Sequence, residues 1–230
     1  MGEIIQYKSE DLFCEAVVSS IHSRILKKNS EGSIFRLALS GGNTPGHVYE
    51  RLSKLHDIDW SLVEIYIVDE RYVPLNDENS NYRLVRHTFI NNIKEKQKKF
   101  VYFDTRLSIS EALEKYEKEL DTEDNDYFDL VLLGIGTDGH TASLFPGSEA
   151  LDEKKHWVAH TKAHDDADAK DRLTLTYPAL ESSEEIFILV RGRNKKDIIK
   201  KLKTSKVSDK NIPAARLFHL EKTRTFYCEV

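Results

Sequence analysis

Residues 134–143, GIGTDGHTAS, contain the densest set of reactive side chains in the chain. They follow the apolar run 128–133, which predicts a buried parallel strand. Asp138 and His140 place an acid two residues from a base, and Ser143 adds a hydroxyl. Histidine titrates near neutral pH and suits general acid–base catalysis. Because open α/β sheets bind ligands at the carboxyl ends of their strands, this segment, the DGH turn, predicts a catalytic site.

Two other interpretations of the DGH turn stay open at the level of sequence. Its glycines are also typical of a tight strand-to-helix connection that holds a hydrogen-bonded histidine. Alternatively, Ser143 could act as a covalent nucleophile, although the G-x-S-x-G elbow that such serines occupy is absent.

A second glycine-rich segment, residues 40–44 with the sequence SGGNT, follows another strand-like run and precedes a predicted helix. This arrangement, the SGG turn, presents backbone N–H groups and the positive end of a helix dipole to an anion. Gly41 and Gly42 allow close approach of a ligand, and Ser40 and Thr44 add hydroxyl donors. We therefore expect a phosphate group to bind at the SGG turn.

Further charged residues follow other predicted strands. Asp69 and Arg71 come at the end of one strand, where Asp69 could orient a base or bind sugar hydroxyls and Arg71 could meet a substrate anion. Arg172 and Lys195, from later elements, could join them. Strand ends of a doubly wound sheet can share one crevice, so we expect a small phosphorylated polyol as the ligand.

Composition restricts the class of protein. The chain has 230 residues, of which 32% are charged and 40% hydrophobic, as in one globular α/β domain spanning residues 1–230. A net charge of −5 without a long basic run argues against nucleic-acid binding, and no apolar run is long enough for a membrane span. Two cysteines, Cys14 and Cys228, are expected to be buried thiols in a reducing, cytoplasmic environment.

Strand and helix patterns alternate along the chain, which predicts a mostly parallel sheet with helices on both faces. Ser9 is expected to cap the first helix, and residues 225–227 are expected to form an edge strand. The polar segments 121–126 and 163–171 are expected to be loops.

Metal and nucleotide signatures are weak. His164 beside Asp165 and Asp166 imitates a metal site, but one histidine with adjacent acids is more typical of a solvated loop. Neither G-x-G-x-x-G nor GK[ST] occurs. We therefore expect neither a metal nor a cofactor.

Five motifs, in this order, resemble the 6-phosphogluconolactonase family, which shares a superfamily with glucosamine-6-phosphate deaminase. They are SGGNTP at 40–45, VDERYVP at 68–74, SN at 80–81, GIGTDGHTASLFPG at 134–147 and RLTLTYPAL at 172–180. The resemblance implies a Rossmann-like three-layer α/β/α fold. It also implies cofactor-free hydrolysis of 6-phosphogluconolactone to 6-phosphogluconate in the oxidative pentose phosphate pathway.

The same resemblance suggests roles for particular residues. His140 would be the general base, while the SGG turn, Arg71 and Arg172 would hold substrate and phosphate. Lys195 would add positive charge. Asp138 or Asp69 would orient the imidazole, a choice that the sequence leaves open.

Two alternative functions also remain open, as does the choice between a monomer and a homodimer. A deaminase of the superfamily would have an acid where this chain has Phe145. A sugar-phosphate-binding module without activity would have no need of the base in the DGH turn.

Overall fold

Short runs of buried aliphatic residues form the strands of the chain, and the amphipathic segments between them form its helices. The structure is a computed structural model that describes residues 2–94, 96–120, 128–164, 167 and 169–230. The strands are β1 (Glu3–Tyr7), β2 (Phe35–Leu39), β3 (Val63–Ile67), β4 (Asp69–Arg71), β5 (Lys99–Val101), β6 (Leu130–Leu133), β7 (Val158–Lys162), β8 (Asp171–Leu175), β9 (Glu185–Arg191) and β10 (Thr223–Cys228). The α-helices are α1 (Glu10–Ser30), α2 (Asn43–Leu52), α3 (Asn81–Thr88), α4 (Ile109–Leu120), α5 (Tyr177–Glu181), α6 (Lys196–Thr204) and α7 (Ala214–Phe218).

Seven strands form a parallel sheet in the order β1-β10-β9-β6-β2-β3-β5. Alternate residues of each central strand enter different cores. In β2, Leu37 and Leu39 face the core beneath α1, α2 and α3, whereas Ala38 faces the core that contains α4 to α7. Because helices cover both faces of the parallel sheet, its central strands are mostly apolar. The result is the expected three-layer α/β/α fold.

The chain reverses its direction of strand addition between β2 and β6. From β2 the sheet grows through β3 to β5, and β6 then pairs with the other side of β2 and leads to β9. Such a topological switch point leaves a crevice at the carboxyl ends of the two strands. The SGG turn follows β2 and the DGH turn follows β6, so both turns border this crevice.

A separate antiparallel sheet, in the order β4-β8-β7, covers one side of this crevice. The sequence pattern indicates strands near β7 and β8 but not that they form a second sheet with residues 69–71. In the register of this sheet Arg71 lies opposite Arg172, and Asp69 lies opposite Thr174. Cross-strand partners have side chains on the same face of a sheet.

The chain termini differ in part from expectation. Ser9 caps α1, since its hydroxyl accepts a hydrogen bond from the Leu12 N–H at 3.3 Å. The expectation that residues 225–227 form an edge strand is wrong, because β10 pairs with β9 on one side and β1 on the other. The strand β1, which the sequence pattern did not reveal, forms that edge instead.

Other expectations can be checked directly. Cys14 and Cys228 are both buried free thiols, as expected. Among the described residues, no helix has both the length and the apolar character that crossing a membrane requires. The acidic loop expected at residues 121–126 lies outside the described residues.

Candidate active site

The SGG turn leaves the N-terminus of α2 open. Gly42 precedes the helix with a φ of +105°, in the left-handed region that favours glycine, and no side chain caps the first turn of the helix. That first turn contains no acidic residue. The Ser40 hydroxyl is buried and has no hydrogen-bond partner among the described residues. The turn therefore has the backbone donors and helix dipole that an anion requires.

Gly41 is needed because Asn81 lies against it. A Cβ on Gly41 would lie 1.8 Å from the Asn81 side-chain oxygen. The amide nitrogen of Asn81 donates to the backbone oxygen of Asp69 at 2.6 Å, which joins the start of α3 to β4 beside the SGG turn. Sequence analysis assigned no role to Asn81, although the motif at 80–81 was a signal for it.

Glu70 fixes Asn81 in place. Its fully buried carboxylate accepts backbone N–H groups from Arg71, Asn81 and Tyr82 at 2.7–2.8 Å and the Ser80 hydroxyl at 3.1 Å. Burial raises the pKa of Glu70 to about 7, although these backbone N–H groups oppose the shift. The carboxylate thereby joins β4 to the N-terminus of α3.

The DGH turn positions an acid–base pair. The Nδ1–H of His140 donates to Asp138 Oδ1 at 2.7 Å, and the backbone N–H of His140 contacts the same oxygen at 3.2 Å. A Cβ on Gly136 would lie 2.2 Å from His140 Nδ1 and 2.3 Å from Asp138 Oδ1, so only glycine fits there. This pairing leaves Nε2 as the ring nitrogen without a hydrogen bond to any described residue.

The electrostatics of Asp138 agree with this geometry. Burial raises the pKa of Asp138, but the hydrogen bond and the charge of His140 outweigh burial and bring that pKa down to about 2. Asp138 is therefore ionised at neutral pH, as a carboxylate that orients and stabilises an imidazolium should be. Of the two candidate carboxylates, it is Asp138 that contacts the ring.

Asp69 has a different set of partners. Its Oδ2 accepts the Ser143 hydroxyl at 2.6 Å, and its Oδ1 lies 3.4 Å from the Asn81 amide nitrogen. Ser143 is 1% exposed, and its backbone N–H donates to Thr174 Oγ1 at 3.1 Å. Because Ser143 is buried and hydrogen-bonded to structural partners, the geometry disfavours it as a nucleophile.

Positive charge comes from three strand or helix ends. Arg71 donates to the Asn79 backbone oxygen at 2.6 Å, and Lys195 Nζ donates to the Ile135 backbone oxygen at 2.7 Å. Burial lowers the pKa of Lys195, and Asp138 partly counteracts this effect. Arg191 ends β9 and pairs with Glu10 of α1. The sequence analysis assigned no role to Arg191, although its position at the end of a buried strand was a signal for it.

All these elements border one cleft of about 360 Å³, the central cleft. It is lined by Ser40, Gly41, Gly42, Asn43, Thr44, Pro45, Asp69, Arg71, Asn81, Gly134, Ile135, Gly136, His140, Ala142, Leu189, Val190, Arg191 and Lys195. The structure thus brings together the SGG turn, Asp69, Arg71, His140 and Lys195 as expected.

Two residues with expected site roles do not line the central cleft. Asp138 lies behind His140, where it contacts the imidazole. Arg172 lies beside Arg71 in the antiparallel sheet, one strand away from the cleft wall. The geometry therefore supports a direct ligand contact by Arg71 better than a direct ligand contact by Arg172. The contact by Arg172 stays a prediction.

A cation site has little support in the described part of the chain. No group of three or more histidine, cysteine, aspartate or glutamate side chains there could hold a metal ion. His164 lies with Nε2 at 3.5 Å from Asp138 Oδ2, so its described contact is with the DGH turn. Asp165 and Asp166, the other members of the weak metal motif, lie outside the described residues.

The fold and the central cleft define a Rossmann-like α/β/α protein in which an open helix N-terminus and a hydrogen-bonded histidine–aspartate pair lie at the same cleft. The family model described as glucosamine-6-phosphate isomerases/6-phosphogluconolactonase matches residues 8–227. The chain belongs to this family, which confirms the resemblance inferred from its motifs.

Individual relatives agree with the family match. The 6-phosphogluconolactonase of Thermotoga maritima is 35% identical over 98% of this chain and 99% of its own. A probable 6-phosphogluconolactonase of Schizosaccharomyces pombe is 36% identical over 80% of this chain and 79% of its own.

Solved structures extend the likeness to the fold. The crystal structure of the Thermotoga maritima 6-phosphogluconolactonase covers both chains completely, with a TM-score of 0.85 and 29% identity. A monomeric glucosamine-6-phosphate deaminase also reaches a TM-score of 0.85, over 98% of this chain and 97% of its own, at 20% identity. The second likeness shows the shared fold alone.

Proposed function

We propose that the protein hydrolyses 6-phospho-D-glucono-1,5-lactone to 6-phosphogluconate, the lactonase step of the oxidative pentose phosphate pathway. The observation that supports this most is that His140, which is hydrogen-bonded to Asp138, lines the same cleft as the open N-terminus of α2. A phosphorylated lactone needs a general base and an anion site within one small molecule's length, and the central cleft offers both.

In the proposed reaction, Nε2 of His140 removes a proton from water as the water oxygen bonds to C1 of the lactone. Asp138 holds the opposite ring nitrogen, keeps the productive tautomer and stabilises the imidazolium that forms. The C1–O5 bond then breaks, and O5 takes the proton from the imidazolium. The acid product loses its proton to solvent as the carboxylate.

Charge develops at two places, and the cleft has groups for each. Lys195 lies beside the DGH turn and supplies positive charge near the tetrahedral oxyanion. The N-terminus of α2, Ser40 and Arg71 would bind the phosphate, whose binding energy positions C1 against His140.

Phe145 favours the lactonase over the deaminase. It occupies the position at which the deaminase pattern has an acid, and its ring centroid lies 4.8 Å from that of His140. At 7% exposure this side chain forms an apolar wall beside the base. A phenyl ring cannot exchange a proton, so the ring opening of an amino sugar would lack its acid.

Parallel assays of the purified protein test this proposal. We expect lactone hydrolysis well above the spontaneous rate, which must be subtracted, and no ammonia release from glucosamine 6-phosphate. Ammonia release as the faster reaction would support the deaminase. Binding of both sugar phosphates without turnover of either would support a binding module.

A further inference from the structure

A second cavity is lined in part by α3, the helix whose first residue, Asn81, lines the central cleft. It has a volume of about 550 Å³, against about 360 Å³ for the central cleft, and we call it the arginine cavity. It is lined by Pro74, Leu75, Asn76, Tyr82, Arg83, Arg86, His87, Asn91 and Arg106. Three of these nine residues are arginines and none is acidic, although the whole chain has a net charge of −5. The cavity is thus a local cationic site on an acidic protein.

Two arginines and a histidine of this cavity come from one helix face. Arg86 and His87 lie three and four residues after Arg83 on α3, so each of them neighbours Arg83 on the helix surface. The helix is well anchored, because Glu70 and the Ser80 cap hold its first turn. The positive groups therefore have a rigid support.

Contacts inside the cavity orient some of its arginine side chains, but not every arginine there is paired with an acid. Arg86 donates to the Tyr82 hydroxyl at 2.8 Å, and this ring in turn packs against Phe100 and Tyr102. The Arg83 side chain has no hydrogen bond or ion pair with any described residue. Neither arginine is paired with a carboxylate in the described part of the chain.

Arg106, which comes from a segment outside α3, does have an acidic partner. It donates two hydrogen bonds to Asp104, at 2.7 and 2.8 Å, which fixes its guanidinium. The same carboxylate also pairs with Lys115 at 3.0 Å, so Arg106 and Lys115 share its single negative charge. Asp104 therefore offsets the charge of Arg106, and the cations of this cavity without an acidic partner among the described residues are Arg83 and Arg86.

The remaining walls are apolar. Pro74 and Leu75 form one side, and the ring of Tyr82, fixed by its aromatic neighbours, forms another. A site with three guanidinium groups suits a ligand with at least two negative phosphoryl oxygens, since the guanidinium fork matches phosphate. Apolar walls in a cavity of this size suit a ring attached to the phosphates.

We propose that the arginine cavity binds a nucleoside diphosphate, with its phosphates on Arg83, Arg86 and Arg106 and its base against the apolar walls. This site uses side chains rather than a glycine-rich loop, so it would escape detection by nucleotide-binding motifs. It shares α3 with the central cleft but none of that cleft's lining residues.

Isothermal titration of the full chain with ADP tests this proposal. We expect sub-millimolar binding of ADP, at least ~10-fold weaker binding of pyrophosphate, and no measurable binding of adenosine. The double variant Arg83→Ala/Arg86→Ala should weaken ADP binding at least ~10-fold, because it removes two charge-assisted contacts. Thermal unfolding of the variant verifies that it is folded.

Two controls make the result specific. Lys200→Ala/Lys203→Ala removes two exposed cations from α6 and changes the net charge equally, and it should leave ADP affinity within about twofold. Arg71→Ala, in the central cleft, should also retain ADP binding.

Four results would overturn the assignment. They are absence of ADP binding at millimolar concentration, equal loss in the two double variants, loss in Arg71→Ala alone, and equal affinity for pyrophosphate and ADP.

Discussion

The SGG and DGH turns both follow central strands of the same parallel sheet, yet glycine serves a different purpose in each. Gly41 makes room for Asn81, a residue of another segment, and the turn leads into an open helix N-terminus. Gly136 makes room for the turn's own Asp138 and His140. The first turn thus places mainly backbone at the central cleft, whereas the second places the His140 side chain there. We therefore propose ligand binding for the first turn and proton transfer for the second.

We expect the largest effect on activity from a change in the DGH turn. His140→Ala removes the proposed base, so we expect kcat for lactone hydrolysis to fall by at least ~10²-fold, in line with general-base contributions. The side chain is partly exposed, so the variant should fold. Initial rates corrected for spontaneous hydrolysis give the measurement, and a folded variant with unchanged kcat would exclude His140 as the base.

Gly136→Ala tests whether the DGH turn depends on close packing against its own side chains. The new Cβ overlaps His140 and Asp138, so it displaces the imidazole, and we expect kcat to fall by about 10²-fold. Gly46→Ala is the control, because a Cβ there meets nothing within 4 Å and Gly46 does not line the central cleft. Similar rates for the two variants would show that the Asp138–His140 pairing does not need this glycine.

Gly41→Ala tests the SGG turn in the same way. Its Cβ would overlap Asn81, which two hydrogen bonds hold in place, so the turn must shift. We expect KM for the phosphorylated lactone to rise about 10-fold, the scale of a helix-dipole contact in a partly buried site, with a smaller change in kcat. The control Gly46→Ala meets no neighbour and should keep the wild-type KM. A loss confined to kcat would assign the SGG turn to the chemical step.

The smallest effect on activity is expected from Glu70→Gln, which changes stability instead. Because burial raises the pKa of Glu70 to about 7, its stabilising contribution is complete below about pH 4.5 and is lost as pH rises through 7. Glutamine does not titrate. The wild-type minus variant difference in unfolding free energy should therefore fall on the order of 3 kcal/mol between pH 4.5 and 8.

Urea unfolding at several pH values measures this difference. The control variant Glu114→Gln makes the same change at an exposed residue of α4, whose ion pair among the described residues is with Lys118, and leaves Glu70 in place. A difference for Glu70→Gln that stays constant with pH would contradict a titrating Glu70.

Most of the fold could be predicted from the local strand and helix patterns of the sequence. Alternating strand and helix signals are properties of neighbouring residues, and they led to the parallel sheet and the placement of the SGG and DGH turns. The short strand β1 went undetected because its pattern is weak and half polar. The position of β10 inside the sheet depends on β1, so the edge assignment failed with it.

The sequence could not predict those parts of the candidate site that depend on contacts between distant segments. The sequence could predict the place of several residues in the central cleft, because each of them follows or precedes a recognisable helix or strand. They are Ser40, Arg71, His140 and Lys195. Asn81 could not be assigned a role, since its role depends on contacts with Gly41 and Asp69 that are distant in sequence. The antiparallel pairing of β4 with β8, which places Arg172 beside Arg71, is non-local in the same way.

The division of labour between the two turns is best tested with one pair of substrates. We would measure kcat/KM for 6-phosphogluconolactone and for unphosphorylated gluconolactone in the wild type, Arg71→Ala and His140→Ala. Arg71→Ala should lose about 10²-fold on the phosphorylated lactone and much less on the other, as expected for a charge-assisted phosphate contact. Arg172→Ala should show the same selectivity with a smaller loss, because it lies beside Arg71 and outside the cleft.

His140→Ala should lower kcat/KM for both lactones by a similar factor, because both reactions need the base. A loss in Arg71→Ala mainly on the phosphorylated lactone, together with a loss in His140→Ala on both lactones, would support phosphate binding near Arg71 and chemistry at the DGH turn. Equal losses on both substrates in Arg71→Ala, or a loss in His140→Ala confined to the phosphorylated lactone, would contradict it.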